Sequence, residues 1–116
     1  MLISISSYAQ KINPENFYTT WQLDKYSDEE EYYLPPKKEM EDYISLHPDM
    51  TYQSVSEGKM SEGSWIFNTN GKYIELKDKE EKKEKFYIHF LSDKSMVVTY
   101  DTDEHRIWEV HYISSK

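Results

Sequence analysis

Ser64-Trp65-Ile66-Phe67-Asn68-Thr69-Asn70-Gly71-Lys72-Tyr73-Ile74-Glu75-Leu76 is the stretch that decides the fold. Asn70-Gly71 is a strong short-range hairpin signal, because both residue types tolerate positive φ. On the returning side Ile74 and Leu76 fall on one strand face, Tyr73 and Glu75 on the other. Residues 64–67 and 72–76 are therefore read as two antiparallel strands.

The same period of two continues outward. Toward the C-terminus, residues 77–85 form a run of mixed charge. Alone it would suit a short exposed helix, but its place between two strands favours a solvated hairpin connection. Residues 86–91 are nearly all apolar, which leaves the inward side open and allows for a bulge. Ser92-Asp93-Lys94 turns the chain, residues 95–100 return, residues 101–104 turn again, and residues 107–113 close the series.

Toward the N-terminus, residues 51–57 alternate, and His47-Pro48-Asp49 initiates a turn after a short strand at 43–46. Residues 28–42 differ: an acidic run at 28–31, then Pro35-Pro36, then a charged stretch. Two adjacent prolines forbid a hydrogen-bonded ladder. A long loop with one helical turn after Pro36 is expected there. Residues 17–24, with Trp21 and Leu23 at strand spacing, form the first strand.

Eight strands in hairpin order make a meander that either stays open with bare edges or closes. Closure removes the edges, and no long amphipathic helix is at hand to cover an open sheet. The expectation is all-β: an eight-stranded antiparallel up-and-down barrel, whose interior holds side chains or one small ligand.

Composition agrees with a single domain over residues 11–116. Of 116 residues 16% are aromatic, with 11 Tyr and 3 Trp, against 37% hydrophobic overall, so rings must supply much of the core. The net charge of −8, from 22 acids and 14 bases, repels nucleic acid and anionic membrane surfaces. No basic stripe offsets it. With no Cys, disulfides and thiol chemistry are excluded. No segment approaches the ~20 apolar residues of a membrane-spanning helix. A monomer is expected.

Residues 1–10, Met-Leu-Ile-Ser-Ile-Ser-Ser-Tyr-Ala-Gln, read as the remnant of a signal peptide: an apolar tail, small residues and an Ala-containing site. The alternative is a first strand at residues 2–6. The signal reading implies a periplasmic or secreted protein.

The order Trp21-Gln22-Leu23, Tyr43-Ile44-Ser45-Leu46, Pro48-Asp49-Met50-Thr51-Tyr52, Gly63-Ser64-Trp65, Tyr73-Ile74-Glu75-Leu76, and Ile88 to Leu91 followed by Ser92-Asp93-Lys94-Ser95-Met96-Val97-Val98 carries a resemblance. It resembles the lipocalin-like domains of small exported bacterial proteins, over roughly residues 17–100. Met50 stands where that family has Gly, and Thr19-Thr20 where it often has Gly before the first Trp. The resemblance implies an eight-stranded lipocalin or calycin-like barrel, export, and no established catalytic residues. It names no ligand.

The tentative barrel lining is Trp21, Tyr52, Trp65, Phe67, Ile74, Leu76, Ile88, Met96 and Val98, with Ile44 and Leu46 on the same inward faces. Such a lining suits a small hydrophobic ligand oriented by one phenol. Trp21 and Trp65 have a second reading, as plugs filling the barrel end. Trp108, Val110 and Tyr112 share one strand face and are read as core. Asp101, Asp103, Glu104 and His105 lack the Gly and bidentate Glu of a calcium loop. His47, His89, His105 and His111 lack zinc spacing.

No nucleophile elbow, phosphate loop or His-Glu-x-x-His is present, so neither an enzyme nor a cofactor is expected. Tyr52 and His89 would be the first side chains to inspect for catalysis. The expected function is binding of a small hydrophobic molecule in the barrel. The alternative is a filled barrel working as a protein–protein interaction domain through the loops at 28–42 and 77–85.

Overall fold

In the computed structural model, which describes residues 11–102 and 108–115, the last strand of the chain lies beside the first. The strands are β1 (Thr20–Ser27), β2 (Tyr32–Tyr33), β3 (Tyr43–Leu46), β4 (Thr51–Ser56) and β5 (Lys59–Asn68). Then follow β6 (Tyr73–Asp78), β7 (Lys83–Leu91), β8 (Ser95–Tyr100) and β9 (Glu109–Ser114). Neighbours from β3 to β9 pair antiparallel in chain order, and β1 pairs with both β3 and β9. The eight long strands therefore close into a meander barrel. No helix among the described residues is long and apolar enough to cross a membrane.

The ninth strand explains the prolines. β2 and β3 both pair with the edge of β1 that faces away from β9, through Tyr26–Tyr33 and Gln22–Tyr43. They are two pieces of one returning strand. Pro35 and Pro36, which lack N–H donors, interrupt it, and the chain leaves the ladder for a 3-10 turn at Lys37–Glu39. The helical turn after Pro36 falls where the sequence placed it.

Alternation sets the core. Ile44, Leu46, Tyr52, Trp65, Ile74, Leu76, Ile88, Met96 and Val98 are all buried, and Phe67 packs against them. Two bulges shift the phase. Between Leu23 and Lys25 the register against β9 slips, so Tyr26 rather than Lys25 follows Leu23 on the inside. Between Ile88 and Phe90 a second slip turns Leu91 inward and leaves Phe90 exposed.

Several boundaries move. Phe17 belongs to a 3-10 turn, Pro14–Phe17, capped by Asn13 and opened by Pro14, so the first strand begins at Thr20. β5 starts at Lys59, not Ser64, because Glu57 and Gly58 take φ of 51° and 82° and make a two-residue hairpin turn. The charged run at 77–85 is a hairpin connection, with its turn at residues 79–82 held by Asp78 Oδ1.

The hairpin at Asn70-Gly71 exists, but its turn is different. Asn68 pairs with Tyr73 across residues 69–72, and Lys72, not Gly71, takes the positive φ of 54°. Gly71 is needed for space: a Cβ there would lie 2.6 Å from the Tyr73 ring. The signal-peptide reading of residues 1–10 and most of the 101–105 acidic turn lie outside the described residues.

Candidate ligand cavity at the open end of the barrel

One end of the barrel is stoppered. Phe17, fully buried, sits with its ring centroid 4.9 Å from Phe67 and 5.9 Å from Trp65. The Trp21 indole N–H donates to the Phe17 carbonyl at 3.1 Å, and the Trp65 indole N–H to the His47 carbonyl at 3.1 Å. Both polar ends are thus satisfied inside an apolar plug. The plug reading of Trp21 and Trp65 is the one these contacts describe.

The opposite end is not filled. There β2 and β4 share no ladder, because the strand that would join them is broken at the prolines. A half-enclosed cavity of about 230 Å³ occupies this end. Leu23, Ile44, Leu76 and Val110 form its apolar floor. Tyr26, Tyr100 and Tyr112 form one wall, while Ser54, Ser56, Thr102, Asp42 and Glu84 supply further polar atoms. A wider, more open hollow of about 660 Å³ adjoins it, sharing Ser54, Ser56, Leu76 and Glu84.

The wall is built of hydrogen-bonded phenols. The Tyr100 and Tyr112 hydroxyls lie 2.6 Å apart. Tyr26 donates its hydroxyl to Glu39 Oε1 at 2.6 Å, tying the 3-10 turn to the barrel rim. Burial pushes all three phenols far above the usual tyrosine range, and the Glu84 carboxylate adds to this at Tyr100 and Tyr112. They are neutral hydroxyls at any physiological pH.

Asp42 leads into β3 at the cavity edge. Its Oδ1 accepts the Glu57 N–H at 2.8 Å and its carbonyl accepts the Leu23 N–H at 3.0 Å. Burial raises the Asp42 pKa, against the lowering effect of the Glu57 bond, and Glu39 and Glu57 raise it further. A carboxylate in that position favours a positive neighbour.

The nine expected lining residues divide by depth. Trp21, Trp65, Phe67, Ile74 and Met96 belong to the stoppered end, and Ile88 and Val98 pair across the middle of the core. Leu76 lines the cavity, and Tyr52 with Leu76 lines the wider hollow, where the Tyr52 hydroxyl meets Ser61 Oγ at 3.1 Å. His89 is on the outer surface, 2.6 Å from Thr99 Oγ1, and does not meet Tyr52. Trp108 rests edge-on against Tyr33, 5.2 Å between centroids, rather than in the core with Val110 and Tyr112.

Alternation puts Tyr112 on an inward face, but it does not single out Tyr26, Tyr100 or Asp42 as cavity residues. The bulge at Asp24 hides Tyr26 from the alternation, and Asp42 ends the 28–42 stretch, expected as a long loop with one helical turn after Pro36. Among the described residues no three His, Asp or Glu side chains converge as a metal site would require. Comparison of the chain with protein-family models, curated proteins and solved structures finds no match.

Proposed function

We propose that this chain is a small-molecule-binding barrel of the lipocalin-like kind, exported from the cell, with its ligand seated at the open end. The observation that carries the reading is the contrast between the two ends. Rings stopper one, while the other keeps an interior cavity of about 230 Å³ with an apolar floor and converging hydroxyls. Close packing is the rule in protein interiors, and a cavity with a few placed polar groups is the usual form of a ligand site. The volume lies just below the ~300–1,000 Å³ typical of drug-sized ligands, which favours a smaller molecule.

The order of Trp21, Gly63-Ser64-Trp65 and Tyr73 to Leu76 supports the lipocalin-like assignment, and the Ala9-Gln10 junction supports export. Methyl NMR of the purified protein tests the binding site. A panel of small amphipathic molecules should shift Leu23, Leu76 and Val110 and leave the Trp21 indole unmoved. Binding should vanish in Val110→Trp, which fills the cavity. Shifts confined to the outer faces, or no shifts across the panel, would overturn the reading.

A second reading draws on the segment after β1. Tyr32 is 65% and Leu34 79% exposed, next to the acids at 28–31. Apolar side chains ringed by negative charge suit contact with a basic protein surface. Binding to such a partner that weakens with salt and is lost in Leu34→Asp would favour it.

A further inference from the structure

We infer that Asn70 is a site of spontaneous covalent modification, deamidation of its carboxamide by the backbone nitrogen of Gly71, and that Asn68 restrains the reaction. The inference stands apart from the ligand-binding reading.

The chain has four asparagines, at 13, 16, 68 and 70. Deamidation needs a free carboxamide and a following backbone nitrogen that can reach it. Asn13 precedes Pro14, which has no N–H to give up. Asn16 lies in the 3-10 turn and precedes Phe17, whose bulk is locked into the stopper. Asn68 ends β5 with both sides of its carboxamide engaged: Nδ2 donates to the Tyr73 hydroxyl at 3.1 Å, and Oδ1 accepts the Gly71 N–H at 2.7 Å. Asn70 differs on each count. It is exposed in the connection at 69–72, and no hydrogen bond among the described residues holds its carboxamide. The glycine after it carries no side chain to shield its nitrogen.

In the reaction, water or hydroxide takes the Gly71 amide proton and the nitrogen attacks Asn70 Cγ. The Cγ–Nδ2 bond breaks, and ammonia leaves with a proton returned by water. A five-membered succinimide remains, which a second water opens. Cleavage of the new N–Cγ bond leaves an aspartyl residue. Cleavage of the original peptide bond between Asn70 and Gly71 leaves an isoaspartyl residue, with one more atom in the main chain. Either product adds a negative charge to the hairpin tip.

The proton that must leave Gly71 is the one Asn68 Oδ1 accepts. That bond keeps the proton on nitrogen and aims it at Asn68, so ring closure has to break it first. Asn68 is anchored in turn by Tyr73, whose ring packs edge-on against Tyr87 at 5.7 Å and lies 4.4 Å beneath the Lys85 ammonium. Packing across β5, β6 and β7 therefore sets the restraint, not the turn alone.

The folded protein, held at mildly alkaline pH and sampled over weeks, tests both parts by peptide mapping with mass spectrometry. Asn70 should convert before any other asparagine, to aspartyl and isoaspartyl products, and more slowly than in the guanidinium-unfolded chain. Asn68→Ala removes the acceptor and should raise the folded-state rate about 2- to 10-fold, the worth of one hydrogen bond. Asn68→Asp keeps an acceptor and sets a negative charge beside the nitrogen that must ionise, so its rate should not exceed the parent's. Earlier conversion at Asn13, Asn16 or Asn68, or an Asn70 that converts only when unfolded, overturns the site. Equal rates in the parent and Asn68→Ala, or an equal rise in Asn68→Asp, overturn the restraint.

Discussion

The Tyr100 and Tyr112 hydroxyls meet at 2.6 Å although their backbones are not opposite one another. Tyr112 pairs with Met96, four residues before Tyr100 on β8, so the two Cα positions are offset by about 13 Å along the strands. Both rings must lean toward each other along the axis to make the contact. Two long side chains are thereby laid flat as a wall, and that wall bounds the cavity.

Removing one member should expose the dependence of the other. Tyr100→Phe and Tyr112→Phe are each expected to lower unfolding free energy by about 1–2 kcal/mol, because each leaves a buried hydroxyl without its partner. The double variant should cost less than the sum, since no orphan remains. Urea denaturation of the four proteins measures the coupling, and strict additivity would show that the hydroxyls do not depend on one another.

The same pair sets an alkaline limit on the fold. Burial raises both pKa values above the ~10 of an unfolded tyrosine. The stabilising contribution is therefore complete below pH 10. Above it, the unfolded chain releases these protons first, so stability falls as pH rises toward the folded pKa values. The slope is at most about 1.4 kcal/mol per pH unit for each phenol. Chemical denaturation at stepped pH from 9 to 11.5 should show this decline, and the double Phe variant should show a shallower one.

Why some of this was legible from sequence and some was not follows from particular residues. Strand identity and order came through because inward positions such as Ile44, Ile74, Leu76, Met96 and Val98 keep strict alternation. Closure followed from the cost of bare edges, and β1 does pair with β9. Alternation failed at Asp24, where one extra residue reverses the phase and no side-chain type announces it, whereas the slip at His89 falls in the apolar run at 86–91, where the sequence allows for a bulge. It also cannot tell depth within a barrel: Phe67 and Leu76 share the inside, yet Phe67 packs on Phe17 at the stoppered end, while Leu76, two residues past Phe67's partner Ile74, lines the cavity. Asp42 lines the cavity where the chain re-enters the ladder at β3, after the 3-10 turn that follows the two prolines. That is a property of the whole path, not of the local pattern.

Met50 offers a simple stabilising change. It closes the His47 to Thr51 turn with φ of 69°, a conformation that costs an L-residue roughly 1–2 kcal/mol and glycine almost nothing. Its side chain is 41% exposed, so little packing is lost on its removal. Part of the gain is offset by the greater freedom of glycine in the unfolded chain. Met50→Gly is expected to raise stability by about 0.5–1 kcal/mol, read as a higher thermal midpoint. A lower midpoint would mean that Met50 packs more than its exposure suggests.

Two other glycines should respond very differently to one methyl group. Gly58 has φ of 82° in its hairpin turn and open space around the missing Cβ. Gly58→Ala therefore carries only the left-handed backbone penalty, about 1 kcal/mol. Gly63 is crowded instead: a Cβ would run into the Lys77 carbonyl oxygen and lie 2.8 Å from the Asp78 Cα. Those atoms are backbone, held by the ladder that sets Gly63 against Asp78 and Ser64 against Lys77. Neither can rotate away, so β5 and β6 must part locally. Gly63→Ala is expected to cost about 3 kcal/mol or more. Hydrogen exchange should show the loss first in the β5–β6 amides around residues 63–65 and 76–78. Equal, mild destabilisation of the two variants would mean that the close approach at Gly63 is absent in solution.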